Sequence, residues 1–482
     1  MEAKREKREI GFWWAVLPLV LMIVVMLITV VKLEQGPHMP LIVGTSIAAL
    51  VAWRYGYSWK EIEEMMYKGI RLALPAVIII MLVGLVIGSW MGGGIVATMI
   101  FYGLKIITPS WFLVAIALIC ALVSLAIGSS WSTMATIGVA GMGIGLSMGI
   151  PAGMVAGAVI SGAYFGDKMS PLSDTTNLAA GLTGTDLFDH IKHMLYTTIP
   201  GLLIALAVFT FLGRKFGSGE AELSSIAKTS QVMQESFIIS PWLLLVPLAV
   251  IVMVALKIPA VPALIIGIVL GFISHITIQG GTFADAIHAL QSGFAIETGN
   301  KLVDNLFNGG GLDSMMYTVS MTIVAMTFGG ILEYSGMLRA IMKQLLKVVK
   351  STSSLIISTI GACVLTNATC SEQYVSIVVP SRMFSKTYKD MGLSSKNLSR
   401  ALEDGGTLTS VFIPWNTCGV FIFGTLGVSV VEYGPYAILN FAVPLLSIVY
   451  ALTGFSIVKM TSEEIVEMDE QEARLEPEVQ LE

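Results

Sequence analysis

The stretch Ser161-Gly162-Ala163-Tyr164-Phe165-Gly166-Asp167-Lys168-Met169-Ser170-Pro171-Leu172-Ser173-Asp174-Thr175-Thr176-Asn177 interrupts an otherwise apolar region. The residues ahead of it, Ile150-Pro151-Ala152-Gly153-Met154-Val155-Ala156-Gly157-Ala158-Val159-Ile160, carry no charge. A helix entering a bilayer here meets two aspartates, a lysine and a proline at membrane depth. Charges and broken backbone are expensive in hydrocarbon unless they line an enclosed, hydrated path. The stretch therefore reads as a place where an ion is handled. A polar loop between two short spans is the plainer alternative.

Composition points the same way. Of 482 residues, 55% are hydrophobic and only 13% charged, against roughly a quarter charged in soluble domains. Mean hydropathy is +0.80. The expected fold is an all-α polytopic membrane protein. The 48 glycines suit helices that pack closely or break. Net charge, −5, says little, because membrane proteins sort charge by side. Cys120, Cys363, Cys370 and Cys418 lie in apolar segments without metal-ligand spacing and read as reduced and structural. Lys4, Arg5, Lys7 and Arg8 precede a long apolar run, 12–31, which reads as a first transmembrane helix with a cytoplasmic N-terminus. There is no phosphate-binding loop, no HExxH and no basic aromatic nucleic-acid surface. Nucleotide-driven transport, nucleic-acid binding, enzymatic chemistry and a cofactor are therefore not expected.

Helical crossings need about 20 apolar residues. Candidates are 12–31, 39–54, 71–90, 94–108, 111–127, 139–165, 194–213, 241–257, 259–279, 315–334, 353–366, 409–427 and 435–458. Several are short enough to be half-helices or re-entrant segments. Arg54, Lys60, Lys68 and Arg71 follow the second span, in accord with a chain that starts inside. Segments 55–70 and 281–313 are amphipathic and are expected to lie on the membrane surface. The chain divides into a basic N-terminus (1–11), a first membrane half (12–212), a hydrophilic connector (213–240), a second membrane half (241–460) and an acidic tail (461–482).

The pattern then begins again. The first half has Gly128-Ser129-Ser130-Trp131-Ser132-Thr133 and later the break at 167–177. The second has Leu365-Thr366-Asn367-Ala368-Thr369-Cys370-Ser371-Glu372, then Glu403-Asp404-Gly405-Gly406-Thr407 and Ile413-Pro414-Trp415-Asn416-Thr417. Pro171-Leu172-Ser173-Asp174-Thr175 resembles Pro414-Trp415-Asn416-Thr417. Paired interruptions in two halves mark the site of a repeat-built secondary transporter. Chance likeness of two polar breaks is the alternative.

Hydroxyl and amide side chains at such breaks, with carbonyls freed by Pro171 and Pro414, supply the hard oxygens a bare sodium ion needs. The candidates are Ser129, Ser132, Thr133, Ser173, Asp174, Thr175, Asn177, Thr366, Asn367, Thr369, Asn416 and Thr417, with sodium placed first at Asp174, Thr175 and Asn416. Each singly is also suited to cap a half-helix or bond a carbonyl. A buried carboxylate adds a proton that competes with the cation. Asp174 is the first choice, Asp404 the second and Asp167 the third, with a salt bridge to Lys168 as the alternative role of Asp167. Glu372 and Glu403 belong to the same candidate set, and Glu333 lies near a helix end. His190 and His193 read as a solvated helix entrance rather than a pH sensor.

On Gly166-Asp167-Lys168-Met169-Ser170-Pro171-Leu172-Ser173-Asp174-Thr175-Thr176-Asn177, Phe328-Gly329-Gly330-Ile331-Leu332-Glu333 and Glu403-Asp404-Gly405-Gly406-Thr407, the chain resembles the NhaC-type sodium/proton antiporters. That resemblance implies inverted repeats, re-entrant hairpins with tips at 129–133 and 366–371, and helices broken at 167–177 and 404–417. It also implies a scaffold lobe that forms a homodimer, a moving transport lobe, and exchange of Na+ for H+ across the cytoplasmic membrane. The same family contains exchangers of malate and protons for sodium and lactate, which share the motif. An organic anion wants nearby cations, and only Lys168 and Arg382 offer themselves. The inorganic exchange is therefore the preferred reading, with a channel or membrane-embedded enzyme as rivals that lack a visible pore or nucleophile.

Overall fold

A computed structural model describes residues 7–33, 36–216, 229–256 and 258–461. The first six residues, the middle of the expected connector (217–228) and the acidic tail from 462 onward lie outside the described residues.

Seven of the described helices are long and apolar enough to cross a membrane: Phe12–Thr29, Trp59–Gly92, Pro109–Ile127, Leu187–Gly213, Ala260–Thr277, Gly311–Tyr334 and Thr352–Cys370. Three further helix pairs have the same apolar length but bend sharply at a short break, among them Ser395–Phe412 with Thr417–Leu426, at 49°. The chain is thus a multi-pass, all-α membrane protein with broken helices. Among the described residues, β pairing is limited to two isolated bridges, Phe294 with Gly309 and Leu393 with Lys459.

Small residues let the backbones approach, as membrane packing without a hydrophobic drive requires. On Trp59–Gly92, a Cβ at Gly69 would strike the Met326 carbonyl and the Gly330 Cα of Gly311–Tyr334. On Ala152–Met169, Cβ atoms at Gly162 and Gly166 would strike the Ala117 and Ala121 carbonyls of Pro109–Ile127. There the Ser124 hydroxyl also donates to the Ala163 carbonyl at 2.6 Å.

Three expectations need correction. Segment 55–70 is not a separate surface helix. A capping box between Ser58 and Glu61 starts one continuous helix of 34 residues, and Ile62 and Met65 are buried. The expected span 139–165 is two helices, Val139–Ser147 and Ala152–Met169, because Gly149 takes a positive φ of 74° and Pro151 follows it. Finally, Gln373–Asp390 is a helix that no apolar run announced. It carries Arg382, Lys386 and Lys389, yet buries Val375, Ile377, Phe384 and Tyr388. Segment 281–313 holds two short helices, Phe283–Gln291 and Lys301–Phe307.

One order of elements occurs twice. Pro109–Ile127 ends at a tip, 128–129, and the chain returns through 130–147. Ala152–Met169 follows, breaks at 170–173, and resumes as Asp174–Thr183. In the second half Thr352–Cys370 ends at a tip, 371–372, and returns as Gln373–Asp390. Ser395–Phe412 then breaks at 413–416 and resumes as Thr417–Leu426. Both tips turn on a left-handed residue, Gly128 at φ 75° and Ser371 at φ 59°. Both broken helices restart on a side-chain cap: Ser173 accepts from the Thr176 amide and Asn416 from the Cys418 amide.

Packing at Gly166 supplies a test. Gly166→Val should destabilise by about 1–3 kcal/mol or prevent folding, because the new side chain meets backbone that has little room to shift. Gly181, also helical, has open space around it, and Gly181→Ala should leave the detergent unfolding midpoint unchanged or slightly raised. Thermal unfolding of both variants decides the point.

Candidate functional site

Both tips and the first break meet at one cavity of about 770 Å³. Its polar lining includes Ser129, Asp167, Asp174, Thr175, Glu372 and Tyr374. The tip of each half therefore faces the same space, although the second tip lies at 371–372 rather than across 366–371. Residues 366–370 are the end of the incoming helix.

Asp167 is 6% exposed, and one of its oxygens accepts from the Ser130 amide at 3.0 Å and hydroxyl at 2.6 Å. Its carboxylate thus holds the first tip, at the N-terminus of the returning helix, where negative charge is favoured. The alternative role of Asp167, a salt bridge to Lys168, is not what the structure shows. Lys168, fully buried, pairs instead with Asp404, also fully buried. Thr197 donates to the same Asp404 oxygen at 3.2 Å, and Arg400 Nε lies 4.0 Å from the other. Asp404, the second-choice carboxylate, is therefore matched by a fixed charge. This joins the last turn of Ala152–Met169 to the π-helical turn Glu403–Thr407.

Asp174, the first choice, is not buried. It stands exposed in the first turn of Asp174–Thr183 and lines the cavity. Three buried carboxylates have an oxygen with no hydrogen-bond partner: Asp404, whose second oxygen only faces Arg400, and Glu372 and Glu403. Glu372 is 4% exposed: one oxygen accepts weakly from the Tyr374 amide at 3.4 Å, and Oε2 has none. Glu403 is fully buried with neither oxygen bonded, beside Thr175, Thr407 and Lys168. Glu372 occupies the place in the second tip that Ser129 occupies in the first. Setting Gly128-Ser129 over Ser371-Glu372, each a left-handed residue followed by a helix cap, would have singled it out from the sequence.

Most hydroxyl and amide candidates serve the backbone. Ser173 caps a helix and bonds the Thr175 hydroxyl at 3.2 Å. Asn177 donates to the Pro171 and Ser173 carbonyls, tying the break shut. Thr133 and Thr369 bond carbonyls one turn back, and Ser132 gives its amide to the Ser129 hydroxyl. Asn367 donates to the Gly406 carbonyl, and Asn416 donates to Asn367. Asn416 Oδ1 accepts from the Cys418 amide and the Thr417 hydroxyl. The sodium group expected at Asp174, Thr175 and Asn416 is thus divided: the first two line the cavity, and Asn416 does not.

Two histidines differ from expectation as well. His190 and His193 are buried rather than solvated. His193 bridges the Lys396 and Ser456 carbonyls, with Arg400 Nη1 3.2 Å away. All four cysteines are free and buried, and Cys418 donates to Gln373 Oε1.

Trp131, which lines the cavity, stacks on Phe421, with ring centroids 4.2 Å apart and planes 13° from parallel. Two residues on, 423–427 line a second cavity of about 490 Å³.

A family model described as the Na+/H+ antiporter family matches residues 162–455. The chain is 40% identical over 458 residues to the Na(+)/H(+) antiporter NhaC of Alkalihalophilus pseudofirmus, covering 95% of this chain and 98% of that protein. It is 39% identical over 424 residues to the Malate-2H(+)/Na(+)-lactate antiporter of Bacillus subtilis, covering 88% and 91%. It is 36% identical over 463 residues to the arginine/ornithine antiporter ArcD of Halobacterium salinarum, covering 95% of each.

The buried pair gives a stability prediction. Lys168→Met alone strands a buried carboxylate and should destabilise by about 3–5 kcal/mol, whereas Lys168→Met with Asp404→Leu should recover most of that loss. Equal unfolding midpoints for the single and double variants in detergent would remove the pair from its structural role.

Proposed function

Because the chain belongs to the Na+/H+ antiporter family, we propose that it exchanges Na+ for H+ across the cell membrane by competition of the two cations for carboxylate oxygen in the shared cavity. One observation carries this reading. Asp167 and Glu372, one from each half, border the same space at helix breaks, and Glu372 keeps an oxygen that no protein group satisfies. A buried carboxylate without a partner is stable only when protonated or when a cation sits against it. Those are the two loaded states of an exchanger. Asp174, at the mouth, raises the local cation concentration without being the shared group.

Lys168 and Asp404 hold the two broken helices in register while the load changes. The halves, 12–212 and 241–460, act as inverted repeats, the N-terminus is cytoplasmic, and the protein works as a homodimer. The malate–lactate relative makes organic-acid exchange the competing reading. Against it stand three carboxylates in the cavity and a Lys168 whose charge Asp404 already neutralises.

In proteoliposomes, a sodium pulse without malate, lactate or amino acid should release protons. A requirement for an organic acid would transfer the chain to the competing reading. Glu372→Gln keeps shape and removes charge, and should lower exchange at least tenfold. Asp174→Asn should mainly raise the sodium concentration needed. Sodium binds the deprotonated carboxylate and protons oppose it, so apparent sodium affinity should rise with pH and then level off. A profile that falls with pH would contradict competition.

A further inference from the structure

The cavity is much larger than a sodium ion requires, and its lining is of two kinds. Asp167, Asp174 and Glu372 supply carboxylates. Leu72, Ala76 and Ile79 from Trp59–Gly92, and Val254 and Ile258 from the second half, supply apolar surface. Trp131 and Tyr374 add aromatic surface. Among the described residues, no lysine or arginine lines it. A volume of about 770 Å³ lies within the roughly 300–1,000 Å³ of small-molecule sites, which combine apolar lining with a few convergent polar groups. A bare metal ion takes oxygen ligands and gains nothing from the apolar lining. A cation with a hydrocarbon stem uses both kinds of lining, and its head is further favoured by aromatic faces. Glu372, buried and with Oε2 unbonded, gives that head a defined partner.

We propose that this cavity binds small organic cations, an ammonium or guanidinium head on an apolar stem, in competition with sodium at the Glu372 carboxylate. The proposal uses the same cavity as the exchange reading but concerns binding alone, so the two can fail separately. In one bound state the head meets Glu372, with the stem along Leu72 and Ile79. Organic anions are excluded by the three carboxylates.

The experiment titrates purified protein in detergent with sodium chloride, n-butylammonium chloride or guanidinium chloride at fixed ionic strength, following thermal unfolding at low ligand concentration. n-Butylammonium should raise the unfolding midpoint, sodium should shift its titration to higher concentration in a competitive manner, and malate should have no effect. Glu372→Gln should weaken n-butylammonium at least tenfold. Ala76→Phe, which fills space beside the apolar lining, should weaken n-butylammonium relative to sodium by at least fivefold. Sodium binding with no n-butylammonium binding overturns the proposal and leaves the exchange reading standing. Binding that sodium does not displace, or that is equal in wild type and both variants, also overturns it. Should Glu372→Gln not fold, the competition between the two cations in the wild-type protein decides alone.

Discussion

Lys168 and Asp404 leave water together, and neither would be stable there without the other. The pair ties the end of one broken helix to a π-helical turn in the opposite half, so the two halves meet at a point where mispairing is costly. Around it, Thr197 donates to one Asp404 oxygen and Arg400 Nε lies 4.0 Å from the other, which has no hydrogen-bond partner. Arg400 in turn is held by His193 and by the Ser456 hydroxyl at 2.7 Å. The cavity carboxylates lie just beyond this set. The protein thus separates two duties: the buried charge of Asp404 is matched by ion pairs and holds geometry, while Glu372 and Glu403 have unbonded oxygens and, among the described residues, no ion pair.

The breaks themselves are built to satisfy backbone. Each restart has a cap, from Ser129, Ser173, Glu372 or Asn416, and each tip turns on a residue with positive φ. Ser371 is the costly one, since a serine in the left-handed region lacks the freedom of glycine. It is retained where its carbonyl accepts the Thr417 amide at 2.9 Å, coupling the second tip to the second break. Irregular backbone is tolerated at this depth because it is enclosed by protein and lines a cavity.

Much of this was legible from residue order. Apolar runs locate most crossing helices because hydrocarbon admits few other sequences, and Pro171 and Pro414 mark breaks because proline cannot continue a helix. Burial of individual side chains was not legible. Asp174 and Asp167 sit seven residues apart in similar surroundings, yet Asp174 falls on the outer face of a new helix and Asp167 under the first tip. Helix Gln373–Asp390 has no continuous apolar run because it buries one face, with Val375, Ile377, Phe384 and Tyr388, and exposes Tyr374, Arg382, Lys386 and Lys389 on the other. The partner of Lys168 was invisible because the adjacent Asp167 is the simpler guess and the actual one lies 236 residues on.

That sequence separation has a consequence for biogenesis. The chain is made from its N-terminus, and Lys168 emerges long before Asp404 exists. At roughly 5–20 residues per second the interval is about 12–47 s. During it, the helix bearing Lys168 carries an unmatched ammonium into the bilayer or waits beside the insertion machinery. Lys168 is the penultimate residue of Ala152–Met169, so its charge opposes insertion by less than the roughly 2.5–3.5 kcal/mol of a lysine at the centre of a span. Stable placement of the first half therefore depends on the arrival of the second. A ribosome stalled before Asp404 should leave Ala152–Met169 within reach of the translocon or of a quality-control protease.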